Sequence, residues 1–257
     1  MNSIEDIRRH YDESGTEAFD LRDFSVGSGN YSLPLRSPYV YAERKMDSFH
    51  REGARTVLDL GCGTGIHTVR MAQQGWTVTA IDCSSKSLEA AQKLAEHHGL
   101  SEKIAFHHGD ALEWMEQNEE KFDLVFTSGV VYYLDVDALM QRLRQRLNPG
   151  GHLLCVETYG GNPLMNFMRN VRGVHDAQTL KGLHGHKEIR DLRSRFAQSE
   201  VRYFNFLELG GICFKFFPPL QRLVVAGLRP LDSLVLEMLR MRFLAWKYVF
   251  CGTVGHD

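Results

Sequence analysis

Apolar residues recur along the middle of the chain in two alternating patterns. Short runs rich in β-branched and aromatic residues predict strands at 56–60, 77–81, 103–108, 122–127 and 151–158. Helical periodicity fills the intervals between these runs. The clearest helical pattern begins behind Asp135, ends before the segment 148–150, and has five apolar residues on one face: Val136, Leu139, Met140, Leu143 and Leu147.

Strands that alternate with amphipathic helices predict a doubly wound α/β fold, in which helices cover both faces of a mostly parallel sheet. Ligands of such folds bind at the carboxyl ends of the strands, where the strand order reverses. After the fifth strand, the sequence predicts a helix at 186–197, a strand at 200–208 and a final strand at 246–253.

Two further regions lie outside this alternating core. Residues 1–53 contain a helical pattern near the N-terminus and a second helix that Pro38 can begin. An apolar and basic insert at 209–244 separates the last two strands, and Pro230 predicts the start of a helix within it. We expect this insert to pack onto a domain that spans 54–257, with another added segment at 159–185.

Composition excludes several classes of protein. The chain has 257 residues, of which 43% are hydrophobic and 24% charged, as in folded globular proteins. Its formal net charge of -2 argues against non-specific binding of nucleic acid, which needs many excess cations, and no nucleic-acid partner is expected. Charge is nevertheless uneven, because residues 169–247 contain fourteen Lys and Arg against seven Asp and Glu.

Cysteine spacing and apolar stretches bear on location. Five cysteines form no CxxC pair, which favours reduced thiols in the cytoplasm and predicts neither a disulfide framework nor a zinc site. The first residues contain acids and arginines where a signal peptide needs apolar residues. Charged residues interrupt the longest apolar stretches, so no spanning helix is predicted, and peripheral membrane contact stays open.

A glycine-rich turn follows the first predicted strand. Residues 57–65 read VLDLGCGTG and place Asp59, Gly61, Gly63 and Gly65 between a strand and a helix. Glycine is needed where a backbone turns tightly and a ligand approaches without an intervening Cβ. The turn alone also fits a strand-to-helix connection that binds no ligand.

Acids end the next two predicted strands. Asp82 lies where a carboxylate can accept both hydroxyls of a ribose, and Asp110 is placed to receive an adenine amino group. Each acid alone would fit a helix cap equally well. Three such features at consecutive strand ends favour a nucleoside site.

Over about residues 54–158 these motifs resemble the class I S-adenosylmethionine-dependent methyltransferases. The resemblance implies a seven-stranded sheet with an antiparallel last strand, an N-terminal helical lid at 1–53, and S-adenosylmethionine as the cofactor. It places the glycine loop against the methionine part of the cofactor, Asp82 at the ribose and Asp110 at the adenine. The cofactor-binding residues that it implies are Asp59, Gly61, Cys62, Gly63, Gly65, Asp82, Cys83, Asp110, Ala111, Thr127, Ser128 and Tyr11.

Two other classes of protein fit parts of the pattern. A nicotinamide-dependent oxidoreductase would need glycine at the sixth place of GxGxxG counted from Gly61, and that place is Ile66. A module that binds the cofactor without turning it over is the second alternative.

The catalytic group is less defined. Methyl transfer needs a nucleophile aligned with the sulfonium methyl group, and a base only when the acceptor loses a proton. His184 and His186 follow the fifth strand and can titrate near neutral pH, so they are candidate bases, with an exposed loop as the alternative. Tyr132 could line the acceptor pocket or donate a hydrogen bond, and Tyr11 could cover the methionine end of the cofactor.

The added segments bear on the substrate. Those at 159–185 and 209–244 are apolar with interspersed cations, which suits a small hydrophobic acceptor with a negative group, or an anionic bilayer. Packing into the core with a solvated basic face is the alternative. The chain is similar to methyltransferases of lipid, quinone and natural-product metabolism, which favours O-methylation and leaves N- and C-methylation open.

Overall fold

The structure, a computed structural model, describes residues 5, 6, 8, 9, 12, 26–172 and 182–255. Its strands are β1 (Thr56–Leu60), β2 (Thr77–Asp82), β3 (Ile104–His108), β4 (Phe122–Ser128), β5 (Leu147–Thr158), β6 (Gln198–Phe204) and β7 (Lys247–Thr253). They form a seven-stranded sheet in the order β3-β2-β1-β4-β5-β7-β6, in which β7 alone is antiparallel to its neighbours. The predicted seven-stranded, mostly parallel sheet with an antiparallel last strand is therefore confirmed.

Helices cover both faces of the sheet. They are α1 (Ser37–Arg51), α2 (Ile66–Gln73), α3 (Ser85–His97), α4 (Ala111–Gln117), α5 (Val136–Arg146), α6 (Pro163–Arg172), α7 (His186–Ser194) and α8 (Pro218–Ser233), which continues as a π-helix at Leu234–Met238. Val57 of β1 packs in the core formed with α1, α2 and α3, whereas Leu58 packs in the core formed with α4, α5 and α7. Both side chains are fully buried, which explains the continuous apolar runs of the central strands.

Several element boundaries differ from the predictions. β6 spans Gln198–Phe204 rather than 200–208, since Asn205 has a positive φ of 64° and ends the strand, and α7 ends at Ser194 rather than at 197. β5 begins at Leu147, directly after α5, rather than at 151. The helix of the insert begins at Pro218 and contains Pro230, so the prediction that Pro230 starts a helix is wrong. Proline is best tolerated in the first helical turn, and Pro218 and Pro219 already occupy that position.

Residues of the N-terminal region pack on the sheet and contact the loop that follows the carboxyl end of β2. α1 packs across β5, β6 and β7 and buries apolar side chains in the core. Further towards the N-terminus, the Asp12 carboxylate accepts a hydrogen bond from the Ser84 hydroxyl at 2.6 Å, and its carbonyl accepts one from Lys86 at 2.8 Å. Tyr11, the proposed cover of the cofactor, lies outside the described residues.

The insert at 209–244 buries fewer of its apolar side chains against the domain than the sequence analysis expects. Only Val225 and Asp232 of α8 are buried, and most large apolar side chains of the insert face solvent. Asp232 fixes the helix, because its carboxylate accepts hydrogen bonds from the backbone N–H groups of residues 205–207. Within the described residues, no helix is both long and apolar enough to cross a membrane.

Candidate functional site

A cavity of about 270 Å³ lies at the carboxyl ends of β1, β2, β3 and β4, and we name it the main cavity. The strand order reverses between β1 and β4, since β2 and β3 lie to one side and β5 to the other. Open α/β sheets bind ligands at such a reversal. The predicted cofactor residues that line the main cavity are Gly61, Gly63, Asp82, Cys83, Asp110, Ala111 and Ser128.

The loop after β1 depends on glycine for its path. Gly61, Gly63 and Gly65 have φ angles of 75°, 53° and 79°, which other residues rarely adopt. The N–H groups of Gly61 and Cys62 both donate to the carbonyl of Ile81, at 2.9 and 3.0 Å. These bonds fix the loop to the end of β2.

A Cβ atom at each glycine would meet different surroundings. At Gly63 it would have no atom within 4 Å, so the space in front of this residue is open. At Gly61 it would lie 2.4 Å from Cγ2 of Val130, and at Gly65 it would lie 2.7 Å from Cβ of Ala91. Gly63 therefore leaves room for a ligand, whereas Gly65 allows α2 to approach α3.

Asp82 connects this loop with the end of β2. One carboxylate oxygen accepts a hydrogen bond from the Gly63 N–H at 2.7 Å, and the other accepts one from the Ser84 N–H at 2.8 Å. Each oxygen can accept a further hydrogen bond. Burial raises the pKa of Asp82 more than its backbone hydrogen bonds lower it. A cation or a pair of hydroxyl groups would stabilise the ionised carboxylate.

Asp110 is both a helix cap and a wall of the main cavity. Its Oδ1 accepts a hydrogen bond from the Glu113 N–H at 2.9 Å at the start of α4. Asp135 caps α5 in the same way, through the Ala138 N–H, and it also lines the main cavity. Capping fixes each carboxylate at the cavity edge, so the two interpretations of Asp110 are compatible. The sequence pattern identified Asp135 only as a helix start.

Three predicted residues lie beneath the main cavity. Asp59 is buried, and its Oδ2 accepts a hydrogen bond from the Thr68 hydroxyl at 2.5 Å. Burial raises the pKa of Asp59 to about 7, the Thr68 hydrogen bond lowers it, and the nearby charge of Asp82 raises it further. Cys62 and Thr127 are buried in the core, where they support the loop and β4.

The main cavity is acidic. Among the described residues, three carboxylates and no Lys or Arg line it. The three carboxylates are those of Asp82, Asp110 and Asp135. Such walls favour a cationic ligand over the pyrophosphate of a dinucleotide, which argues against a nicotinamide-dependent oxidoreductase.

A nicotinamide-dependent oxidoreductase could also use a catalytic Tyr-x-x-x-Lys pair. The sequence contains that spacing in α1, at Tyr41 and Lys45, but neither residue lines the main cavity. Tyr41 and Lys45 both donate hydrogen bonds to the carboxylate of Glu200. The pair therefore links α1 to β6 and gives no support to an oxidoreductase. In the part of the chain that the structure describes, no group of three His, Cys, Asp or Glu side chains is arranged to hold a metal ion.

A buried glutamate holds the loop after β4. Oε1 of Glu157, near the end of β5, accepts hydrogen bonds from the N–H groups of Val130 and Val131, both at 3.1 Å. Its Oε2 is buried and has no partner among the described residues. Burial raises the pKa of Glu157 to about 7, against the lowering by these backbone hydrogen bonds. Glu157 thereby positions one wall of the main cavity, a role that its isolated place in an apolar strand could have indicated.

The predicted catalytic residues lie outside the lining of the main cavity. The Tyr132 hydroxyl is close to one wall, since a Cβ at Gly129 would lie 3.8 Å from it. His184 is buried, its Nδ1 lies 3.0 Å from the Tyr248 hydroxyl, and burial lowers its pKa. His186 is exposed at the first position of α7. The exposed-loop alternative therefore fits His186 and not His184.

Tyr31 and His67 form a polar pair next to Ser128 of the cavity wall. The Tyr31 hydroxyl lies 3.0 Å from Nε2 of His67, and the Tyr31 ring stacks on Tyr39 with 3.5 Å between ring centroids. Burial, with the nearby charge of Lys247, lowers the pKa of His67 to about 4, so its imidazole is neutral at pH 7. Burial also raises the pKa of Tyr31, whose hydroxyl interacts with Ser128 of the cavity wall. No pattern in the sequence pairs these residues, which are 36 positions apart.

Comparison with known proteins finds similarity to methyltransferases over about half of the chain. Residues 57–151 match the protein family described as a methyltransferase domain. A ubiquinone biosynthesis O-methyltransferase of Caulobacter vibrioides is 32% identical over 126 residues, which are 46% of this chain and 49% of that protein. A cypemycin N-terminal methyltransferase of Streptomyces sp is 32% identical over 146 residues, which are 55% of this chain and 53% of that protein. The chain spans about half the length of the curated relatives that it matches.

A solved structure matches nearly the whole fold. Geranyl diphosphate C-methyltransferase from Streptomyces coelicolor A3(2), in complex with Mg²⁺, geranyl-S-thiolodiphosphate and S-adenosyl-L-homocysteine, has a TM-score of 0.62 at 14% identity, over 98% of both chains. The fold is that of a Rossmann-like methyltransferase. Residues 57–151 therefore match a methyltransferase domain, and over that part the chain is similar to S-adenosylmethionine-dependent methyltransferases.

Proposed function

We propose that the protein transfers the methyl group of S-adenosylmethionine to a small, largely hydrophobic acceptor. The main cavity would hold the cofactor, with its methionine part on the glycine loop, its ribose on Asp82 and its adenine beside Asp110 and Ala111. Cys83 and Ser128 belong to the walls of this site. The residues proposed to shape it from beneath are Asp59, Cys62, Gly65 and Thr127, and the proposed cover is Tyr11.

The convergence of Gly63, Asp82 and Asp110 on one cavity supports this proposal most strongly. Gly63 leaves open space in front of the loop, and the two carboxylates line the same cavity. Carboxylates accept hydrogen bonds from ribose hydroxyls and from an adenine amino group. The acidic walls also suit a ligand whose sulfonium group is positive.

Correct positioning of the acceptor relative to the cofactor would account for most of the rate enhancement. Bound S-adenosylmethionine supplies a methyl group that is already electrophilic. The protein then has to orient the acceptor and exclude water, and the loop at 129–131 that Glu157 holds is suited to orient it. Tyr31 and His67 stay uncharged at pH 7 and would offer hydrogen bonds beside Ser128.

Proton transfer depends on the acceptor. His184 and His186 remain the proposed proton acceptors, and Tyr132 remains the proposed hydrogen-bond donor to the acceptor. Burial lowers the pKa of His184, so its imidazole is in the neutral form that accepts a proton at pH 7. An oxygen nucleophile needs such a base, and we favour O-methylation over N- or C-methylation for this reason.

A buried arginine supports an acceptor that carries a negative group. Arg169 of α6 is 5% exposed, and its Nη1 donates to the Tyr159 carbonyl and the Asn166 side chain. Its Nη2 is buried without a hydrogen-bond partner in the described chain. Burial lowers the pKa of Arg169 to about 10, so the guanidinium stays charged at pH 7. A buried, uncompensated charge is costly, and an acceptor anion would offset that cost.

Two measurements test the proposal. Isothermal titration calorimetry with S-adenosylmethionine and S-adenosylhomocysteine should give micromolar dissociation constants. Transfer of a labelled methyl group should then be scored with phenols, carboxylic acids and amines that carry an apolar chain. Transfer to a phenol is the expected result. Binding without transfer to any acceptor would favour the non-catalytic alternative, and absence of binding would refute the cofactor assignment.

A further inference from the structure

The insert between β6 and β7 presents an unusual amount of apolar surface to solvent. Phe216 is 79% exposed, Leu223 is 71% exposed and Met238 is 75% exposed. Large exposed apolar patches mark binding surfaces, whereas scattered exposed residues do not. We name the following set the insert patch: Ile212, Phe216, Phe217, Leu220, Leu223 and Met238.

Exposed apolar side chains also occur on α6. Leu164 and Phe167 of that helix are 58% and 66% exposed. The Asn162 side chain, just before α6, donates to the carbonyls of Leu244 and Ala245 at 2.6 and 3.1 Å, which ties α6 to the end of the insert. The insert is therefore joined to the helix that carries Arg169, the buried guanidinium proposed to bind the acceptor.

The acidic and the basic side chains of the insert have different surroundings. Both of its acids are held by backbone N–H groups: Asp232 by residues 205–207, and Glu237 by Tyr203 at 2.9 Å. Of its basic side chains, those of Lys215, Arg222 and Arg240 are exposed to solvent and are close in sequence to the exposed apolar residues. The solvent-facing charge of this region is therefore positive.

A second cavity lies beside α8 of the insert. It has a volume of about 120 Å³, less than half that of the main cavity, and lies between α1, β6 and α8. Three guanidinium groups line it, those of Arg44, Arg202 and Arg229. Its carboxylates already have partners: Glu208 accepts from Ser37 and lies 3.5 Å from Arg229, and Asp232 is bound as above. The cavity therefore suits a small anionic group such as a phosphate.

We propose that the insert patch docks the protein on the surface of an anionic lipid bilayer. A helix with exposed Phe and Leu between Lys and Arg is typical of segments that lie in the membrane interface. Cations near an anionic leaflet add to the binding, and the Arg44, Arg202 and Arg229 cavity would take a lipid phosphate. A second copy of this chain fits less well, because symmetric pairing of the patch would bring cations of like charge together.

Vesicle sedimentation tests this proposal without cofactor or acceptor, so its outcome is independent of the proposed methyl transfer. Vesicles of phosphatidylcholine alone are compared with vesicles of equal parts phosphatidylglycerol and phosphatidylcholine. We expect the wild-type protein to sediment with the anionic vesicles, and binding to weaken as salt is raised.

Two sets of substitutions separate the contributions. Lys215→Glu with Arg222→Glu should weaken binding to anionic vesicles by about tenfold or more. Phe216→Ser with Phe217→Ser and Leu223→Ser should reduce it to a similar degree. Lys93→Glu on α3, at the opposite edge of the sheet, is the charge-reversal control at a distant exposed site and should bind almost as the wild type does. Circular dichroism melting checks that the variants fold.

Three outcomes would overturn the proposal. The first is that the wild-type protein fails to sediment with anionic vesicles. The second is that the patch variants bind as well as the Lys93→Glu control. The third is a stable dimer in size-exclusion chromatography that the Phe216, Phe217 and Leu223 substitutions dissociate, which would identify a second copy as the occupant of the patch.

Discussion

The Asp82 carboxylate accepts a hydrogen bond from the Gly63 N–H at 2.7 Å, so the acid that ends β2 holds the loop that follows β1. Both residues line the main cavity. The conformation of the loop and any contact with a ligand therefore depend on the same side chain.

Asp82→Asn should weaken binding of S-adenosylmethionine. The amide keeps one acceptor oxygen, but its NH₂ group faces the N–H of Gly63 or of Ser84, and the ribose loses an acceptor. We expect a loss of about 1–3 kcal/mol, measured by isothermal titration calorimetry. Asp110→Ser is a companion variant, because Ser keeps the helix cap but removes the contact proposed for adenine. Unchanged affinity in a folded Asp82→Asn protein would contradict the ribose assignment.

Gly63→Ala and Gly65→Ala should have different effects, although both impose a side chain on a positive φ. Each pays about 1 kcal/mol or more for that backbone conformation. In Gly65→Ala the new Cβ also clashes with Ala91, so its melting temperature should fall further. In Gly63→Ala the methyl group enters open space, so cofactor affinity should fall more than stability does. Equal affinity losses in the two variants would show that Gly63 does not face the ligand.

The affinity for S-adenosylmethionine should fall as the pH drops below about 7. The pKa of Asp59 is raised to about 7, so protonation below that pH removes a negative charge close to the cavity. S-adenosylhomocysteine lacks the sulfonium charge, and its affinity should change less. Titrations on both sides of neutral pH measure the ratio of the two dissociation constants. Asp59→Asn should remove most of the pH dependence of that ratio, and a dependence that survives in this variant must come from another acid.

Glu157→Gln should change the pH dependence of stability. Its pKa is raised from the usual 4.5 to about 7, so the stabilisation by the protonated form is complete below the unfolded pKa and is lost as pH rises through about 7. The neutral amide avoids that loss, which we expect to be on the order of 3 kcal/mol. Urea unfolding at mildly acidic and mildly alkaline pH measures it.

Glu157→Ala is the contrasting variant. It leaves the N–H groups of Val130 and Val131 without their acceptor, so stability should fall at every pH. If Glu157→Gln loses as much stability above pH 7 as the wild type does, a different buried group is responsible.

Arg169→Met should raise the stability of the protein and weaken its binding of an anionic acceptor. Removing a buried guanidinium that has no counter-charge among the described residues raises the free energy of unfolding, as replacements of buried ions by apolar residues often do. The KM for an anionic acceptor should rise by about tenfold or more, because its charge loses a partner. The affinity for S-adenosylmethionine should stay the same. A neutral acceptor analogue is the control, and an equal KM change for both acceptors would contradict an anion contact.

The sheet could be predicted because its information is local. Each central strand is an apolar run, each helix has its own periodicity, and caps such as Asp135 lie next to the helices that they begin. The acids after β2 and β3 could be placed together for the same reason, since parallel strands bring their carboxyl ends to one edge. Pro230 was misjudged because Pro218 offers the same local signal earlier in the insert.

Other parts of the site depend on contacts between distant residues. Glu157 reaches the loop after β4 from the neighbouring strand, and Tyr31 reaches His67 across 36 positions. The burial of Arg169 and the exposure of the insert patch follow from how helices pack after the sheet has formed. Single-residue patterns contain no information on such pairs.

The close approach of Gly61 to Val130 has a consequence for redesign. The two loops fit together at a point where one extra methyl group would clash, and Val130 is anchored from β5. Substitutions after β4 that aim at a new acceptor would therefore also change the conformation of the glycine loop, which we propose to bind S-adenosylmethionine. Libraries that seek altered selectivity should begin on α6, where side chains can vary without straining the glycine loop.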